Sequence, residues 1–135
     1  MTTIIENKLY LGSICETPPN NITCIINLSG ENHREKHRIR TQQIKIYNIE
    51  LEDSPETPIE TLFDYVINII EHEPCVYIYC LAGISRSPTM VAAYLMHKYS
   101  MTSEESIEYI RERRPQVMPN EGFMIKLRAT RQAHP

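Results

Sequence analysis

The chain has 135 residues, 41% of them hydrophobic and 23% charged, with a formal net charge of −3. That length and balance fit one folded domain over residues 1–135 and exclude a disordered or fibrous polymer. No apolar run approaches the ~18 residues of a membrane span, the first residues lack a secretion-signal layout, and the acidic balance argues against nucleic acid as a partner. The expected setting is cytoplasmic or nuclear.

Residues 8–11 and 22–28 read as strands. The second of them, Ile-Thr-Cys-Ile-Ile-Asn-Leu, is nearly continuous apolar sequence, as in a strand covered on both faces, and Asn20-Asn21 forms the turn before it. The stretch between Gly12 and Asn21 is too short to hold a helix comfortably. Residues 30–43 are polar and basic, with His33-Arg34 and His37-Arg38 close together, and form a loop or a short exposed helix. Residues 44–51 follow as a strand, with Ile44, Ile46, Ile49 and Leu51 as its inward candidates.

Thr57-Pro58-Ile59-Glu60 predicts a helix start, with Thr57 capping, Pro58 in the first turn and Glu60 completing a capping box. Behind it Ile59, Leu62, Phe63, Val66, Ile69 and Ile70 recur at helical spacing. Pro74 stops that helix, and residues 75–79 form a short buried strand. A second helix opens at Pro88 and carries Val91, Ala92, Leu95 and Tyr99 on one face. Thr102 with Glu105 caps a third, and a last one begins after Asn120 with Phe123 and Leu127 inward. Strands followed by helices in this order predict an α/β sheet covered by helices.

The cysteines are Cys15, Cys24, Cys75 and Cys80. No Cys-x-x-Cys pair marks a metal site, and a domain of this size needs no disulfides. Cys15, Cys24 and Cys75 are expected to be small buried residues. Cys80 has special surroundings.

Residues 76–89 read Val-Tyr-Ile-Tyr-Cys-Leu-Ala-Gly-Ile-Ser-Arg-Ser-Pro-Thr: a strand ends at Cys80, five residues turn, and Arg86 stands at the mouth of a helix. Such a turn can aim successive backbone N–H groups inward as an anion nest, with Gly83 supplying the conformational freedom. Arg86 offers a planar fork of donors to a bound dianion. The nest and helix dipole favour the thiolate of Cys80, which then lies beneath a bound phosphate for attack on phosphorus. Ser87 can hydrogen-bond that sulfur. A leaving oxygen needs a proton, and the acidic run Glu50-Leu51-Glu52-Asp53 can bring a carboxyl to the same sheet edge. Spacing alone does not rank Asp53 above Glu52.

The pattern Cys-x-x-x-x-x-Arg-Ser at that turn resembles the signature of the cysteine-based protein tyrosine phosphatases. The longer match from Cys80 through Pro88 to Ala93-Tyr94-Leu95-Met96 is similar to their dual-specificity branch. Asn27-Leu28-Ser29, Ile49-Glu50-Leu51-Glu52-Asp53, residues 106–115, Pro119-Asn120 and Phe123-Met124 carry the resemblance over about residues 8–127. It implies a central, mostly parallel sheet of about five strands flanked by helices, with Cys80 as nucleophile, Arg86 as phosphate clamp, Asp53 as general acid and base, and Ser87 assisting breakdown of a phosphocysteine intermediate. The backbone donors would come from Leu81, Ala82, Gly83, Ile84 and Ser85, and Asn120 would brace their loop. No metal or cofactor is implied. The implied substrate is a phosphorylated protein, with phosphotyrosine and phosphoserine or phosphothreonine both accepted, since no long pocket-deepening loop is present.

One departure bears on activity. The family normally has His immediately before the nucleophile, where this chain has Tyr79. Tyr offers one O–H and no positive charge, so the resemblance implies a less favoured thiolate and reduced turnover. The alternative is a pseudo-phosphatase that binds phosphorylated partners. Either Cys24 or Cys75 is also a candidate partner for an oxidised Cys80.

Overall fold

The structure, a computed structural model, describes residues 1–32 and 44–130. The basic part of the expected 30–43 loop, from His33 on, lies outside the described residues. Among the described residues there are five strands: β1 (Thr2–Ile5), β2 (Leu9–Ser13), β3 (Cys24–Asn27), β4 (Lys45–Asn48) and β5 (Val76–Cys80). They form one sheet in the order β1-β2-β5-β3-β4, parallel throughout except for the antiparallel edge strand β1. The strand that ends in Cys80 is therefore central, with Ser13 of β2 level with Cys80 on one side and Asn27 of β3 level with Tyr79 on the other.

Alternation along β5 divides its side chains. Val76, Ile78 and Cys80 join the larger core, whereas Tyr77 and Tyr79 join a smaller cluster with Tyr10, Ile22, Ile25 and Cys75. Among the described residues, the helices α1 (Phe63–His72), α2 (Arg86–Tyr99), α3 (Ser103–Arg113) and α4 (Glu121–Ala129) all place side chains in the larger core. Phe63 and Val66, Val91 and Leu95, Ile107 and Ile110, and Phe123 and Leu127 are their contributions. Burial of each such side chain is worth about 1.5–3 kcal/mol. Ile44 and Ile46 pack against the smaller cluster, and Ile49 and Leu51 against the larger. The apolar residues of segment 44–51 thus serve both faces of the sheet.

Several expectations needed correction. Strand β1 was not expected: Thr-Thr-Ile-Ile has no turn signal of its own and is fixed by pairing Thr2 with Leu11 and Thr3 with Tyr10. The helix start at Thr57 is instead a 3-10 turn at Ile59–Leu62 with no side-chain cap. The Thr57 amide that a capping box would use already donates to Ser54 O (3.0 Å), and Glu60 lies instead 3.5 Å from Lys126 Nζ. Tyr99 is half exposed at the end of α2, which is buried on all sides from Ser87 to Met96. Cys15 is exposed, in the turns that join β2 to β3 without a helix. The capping box of Thr102 and Glu105 forms as expected, and Asn120 caps α4 through Phe123 N.

Candidate active site

The turn from β5 into α2 is shaped by where its carbonyls point. Leu81 O accepts from Ile14 N (3.3 Å), Gly83 O from Arg114 Nε (2.9 Å), and Ile84 O from Met118 N (2.8 Å). With those carbonyls engaged by neighbouring segments, the turn is closed from within by the Cys80 sulfur. There Gly83 N donates to Cys80 Sγ at 3.2 Å, and the amides of Ala82, Ile84 and Ser85 make no hydrogen bond among the described residues. Gly83 has φ +69°, and a Cβ there would lie 2.7 Å from Gly12 O, so conformation and space both demand glycine.

Cys80 is 2% exposed, and its sulfur also accepts from Ser87 Oγ at 3.1 Å. Two donors thus meet on one sulfur at the N-terminal end of a 14-residue helix. Arg86 stands in the first turn of that helix. Its Nη1 donates to Leu28 O (3.1 Å) and Leu51 O (2.9 Å), while Nε and Nη2 make no hydrogen bond among the described residues. The Leu28 carbonyl is placed by Asn27, whose Oδ1 accepts from Ser29 N (2.9 Å) and Ser29 Oγ (2.7 Å) and whose Nδ2 donates to Asn48 Oδ1 (2.8 Å).

Asp53 lies in the loop after β4, with its carboxyl exposed and Oδ1 accepting from Asn120 Nδ2 at 2.9 Å. Asn120 N donates to Ser85 Oγ at 3.0 Å, so this residue touches both the turn and the acidic loop. Next to it, Gly122 packs so closely that an added Cβ would fall 2.0 Å from Pro55 O. A cleft of about 780 Å³ runs between Asp53, Leu51, Ser29, Leu81 and Arg86. The expected residues Cys80, Arg86, Ser87, Asp53, Asn120 and the 81–85 turn therefore come together.

Tyr79 does not touch this site with its ring. The ring is fully buried on the far face of the sheet, stacked on Tyr77 at 5.4 Å between centroids. Burial, with Glu31 adding to it, holds the phenol above the usual tyrosine range, so it carries no charge at neutral pH. Cys24 and Cys75 lie at the opposite end of the sheet. Cys75 precedes β5 and Cys24 is level with Val76, so each is more than about 12 Å along the strand direction from Cys80, beyond the ~7 Å limit for a disulfide.

Sequence reasoning missed the outer support of the turn. Arg114, 3% exposed, donates from Nε to Gly83 O, from Nη1 to Thr2 Oγ1 (3.0 Å) and from Nη2 to Glu16 Oε1 (3.0 Å). The same Glu16 oxygen accepts from Ser13 N at 2.7 Å. Nothing local marks Arg114 as different from Arg111 or Arg113, because its partners come from three distant segments.

Residues 7–133 match the model of the dual specificity phosphatase catalytic domain, and the chain belongs to that family. It is 38% identical over 129 residues to a dual specificity protein phosphatase 5 from Rattus norvegicus, covering 88% of this chain and 33% of the rat protein. It is 29% identical over 133 residues to a dual specificity protein phosphatase 1 from Arabidopsis thaliana, covering 92% of this chain and 66% of that one. The crystal structure of DUSP15 superposes with a TM-score of 0.83 at 30% identity, covering 95% of this chain and 85% of the other. The chain thus spans between one third and two thirds of the length of these two sequence relatives.

Proposed function

We propose that this chain hydrolyses phosphomonoesters on proteins through a phosphocysteine intermediate. The observation that carries the reading is the pair of hydrogen bonds to Cys80 Sγ, from Gly83 N at 3.2 Å and Ser87 Oγ at 3.1 Å, at the start of the helix whose first turn carries Arg86. In the first step the thiolate attacks phosphorus, the S–P bond forming as the P–O bond to the leaving group breaks. The Asp53 carboxyl delivers its proton to the departing oxygen. The amides of the 81–85 turn and the Arg86 fork take up the charge on the equatorial oxygens, and one well-placed donor in such a site is worth about 10²–10³ in rate. In the second step Asp53 takes a proton from water as the water oxygen attacks phosphorus. The S–P bond breaks, and Ser87 steadies the thiolate as orthophosphate leaves. Asn120 and Arg114 act through the turn and the acidic loop as positioning residues.

The family's dual specificity extends the proposed substrates to phosphotyrosine and to phosphoserine and phosphothreonine. Hydrolysis of an aryl phosphate and of both kinds of phosphopeptide, beside Cys80→Ser, tests the reading. Turnover by the wild type that disappears in the variant supports it. Tyr79, buried and uncharged where the family carries His, favours a second reading in which phosphorylated partners are bound with little turnover. A wild type that binds phosphopeptide yet releases no phosphate would establish that alternative.

A further inference from the structure

The cleft beside Arg86 has a charge pattern that the mechanism leaves unused. One wall is the 50–53 segment, where Glu50 and Glu52 are exposed and neither has a lysine or arginine within 4.0 Å among the described residues. The lining also includes apolar Pro58, Leu62 and the 47%-exposed Leu81. Arg86 is the one cation among the described lining residues, and its Nε and Nη2 make no hydrogen bond among them. Lys126, near the rim, is already engaged by Thr57 O and Glu60. An incoming phosphate dianion therefore meets its partners on Arg86 and the turn, while the chain that bears it runs past two carboxylates that have no counter-ion among the described residues.

From this arrangement we infer that the cleft selects phosphorylated segments carrying arginine or lysine beside the phosphorylated residue. A flanking cation relieves the mutual repulsion of Glu50 and Glu52, and a flanking carboxylate adds to it. Pairs of this exposed kind each change affinity by a factor of roughly 1.5–5, so two acting together give about tenfold discrimination. Asp53 is left out of this count because it is assigned to proton transfer. The inference rests on the proposed reading of residues 80–86 as the phosphate site.

The test is a set of three phosphotyrosine peptides identical except for Arg, Ala or Glu on both sides of the phosphorylated residue. The wild type is expected to show kcat/KM about tenfold higher for the Arg peptide than for the Glu peptide. The ratio should shrink toward one in 0.5 M NaCl, where the Debye length falls to about 4 Å. In Glu50→Lys/Glu52→Lys the order of the peptides should reverse. Equal rates, or preference for the Glu peptide by the wild type at low salt, would overturn the inference whether or not the variant folds. If the wild type turns over no peptide, equilibrium binding of the same three peptides to Cys80→Ser decides the charge preference. The proposed hydrolysis then fails without the cleft inference, or the two fail separately.

Discussion

Asn120 holds Asp53. Its side-chain amide donates to the Asp53 carboxylate at 2.9 Å across 67 positions of sequence, while its backbone N–H donates to Ser85 Oγ at 3.0 Å. The 81–85 turn and Asp53, carried on loops after different strands, are thus joined through one residue at the start of α4. The close approach of Gly122 to Pro55 keeps that helix against the acidic loop.

Asp53→Asn should lower kcat by about 10²–10³ for alkyl and weakly activated aryl phosphates and far less for esters with excellent leaving groups, since only the former need the proton. A leaving-group series of aryl phosphates reads this directly. If Glu52→Gln shows that dependence and Asp53→Asn does not, Asp53 is not the acid. Asn120→Ala should give a weaker version of the Asp53→Asn profile, together with about 1 kcal/mol of lost stability from the uncapped helix.

Arg114→Lys should lower kcat/KM about tenfold and depress Tm, because an ammonium cannot span Gly83 O, Thr2 Oγ1 and Glu16 in one plane. Glu16→Gln should cost roughly 1–3 kcal/mol by leaving the buried guanidinium short of its carboxylate. Burial alone would raise the Glu16 carboxyl, but hydrogen bonds from Arg114 and Ser13 N outweigh it and hold it below its ordinary 4.5. The advantage of the wild type over Glu16→Gln is therefore complete above that value and is lost as pH falls through the lower folded-state one. Chemical unfolding of both proteins between pH 7 and pH 3 checks the sign.

Tyr79→His places a chargeable ring one position before Cys80 on the opposite face of β5, where its charge acts on the sulfur only through the strand, and should raise turnover several-fold, most clearly at mildly acidic pH. The same change places a polar ring in the cluster with Tyr77 and Ile25, so thermal stability should fall. A pH–rate profile and a melting curve together settle this, and an unaltered profile would remove Tyr79 from the account of activity.

Peroxide treatment should give no Cys80–Cys24 or Cys80–Cys75 disulfide, because both candidates sit at the other end of the sheet. Burial pushes the Cys24 thiol up to about 12 and also raises Cys75, so neither should be alkylated in the native protein at neutral pH. Peptide mapping after iodoacetamide checks both statements.

What was legible in the sequence was local or motif-borne. The 80–87 turn announces itself because a strand, a glycine, an arginine and a helix start fall within a few residues. The caps at Thr102 and Asn120 declare themselves in the same way. Contacts between distant segments were not legible. Thr57 and Glu60 look like a capping box until the Thr57 amide is found on Ser54 O and Lys126 from α4 beside the glutamate, and Arg114 looks like any helical arginine until Thr2, Glu16 and Gly83 converge on it. Strand β1 likewise owes its existence to a partner rather than to its own four residues.

The two carbonyl tethers on Arg86 have a kinetic corollary. A side chain locked onto Leu28 and Leu51 before any ligand arrives gives up almost no rotamer freedom on meeting an oxyanion, so orthophosphate and vanadate should dock about as readily as substrate does. Escape of product from so ready a receptor would then limit the cycle, and such small tetrahedral and trigonal-bipyramidal mimics should inhibit competitively.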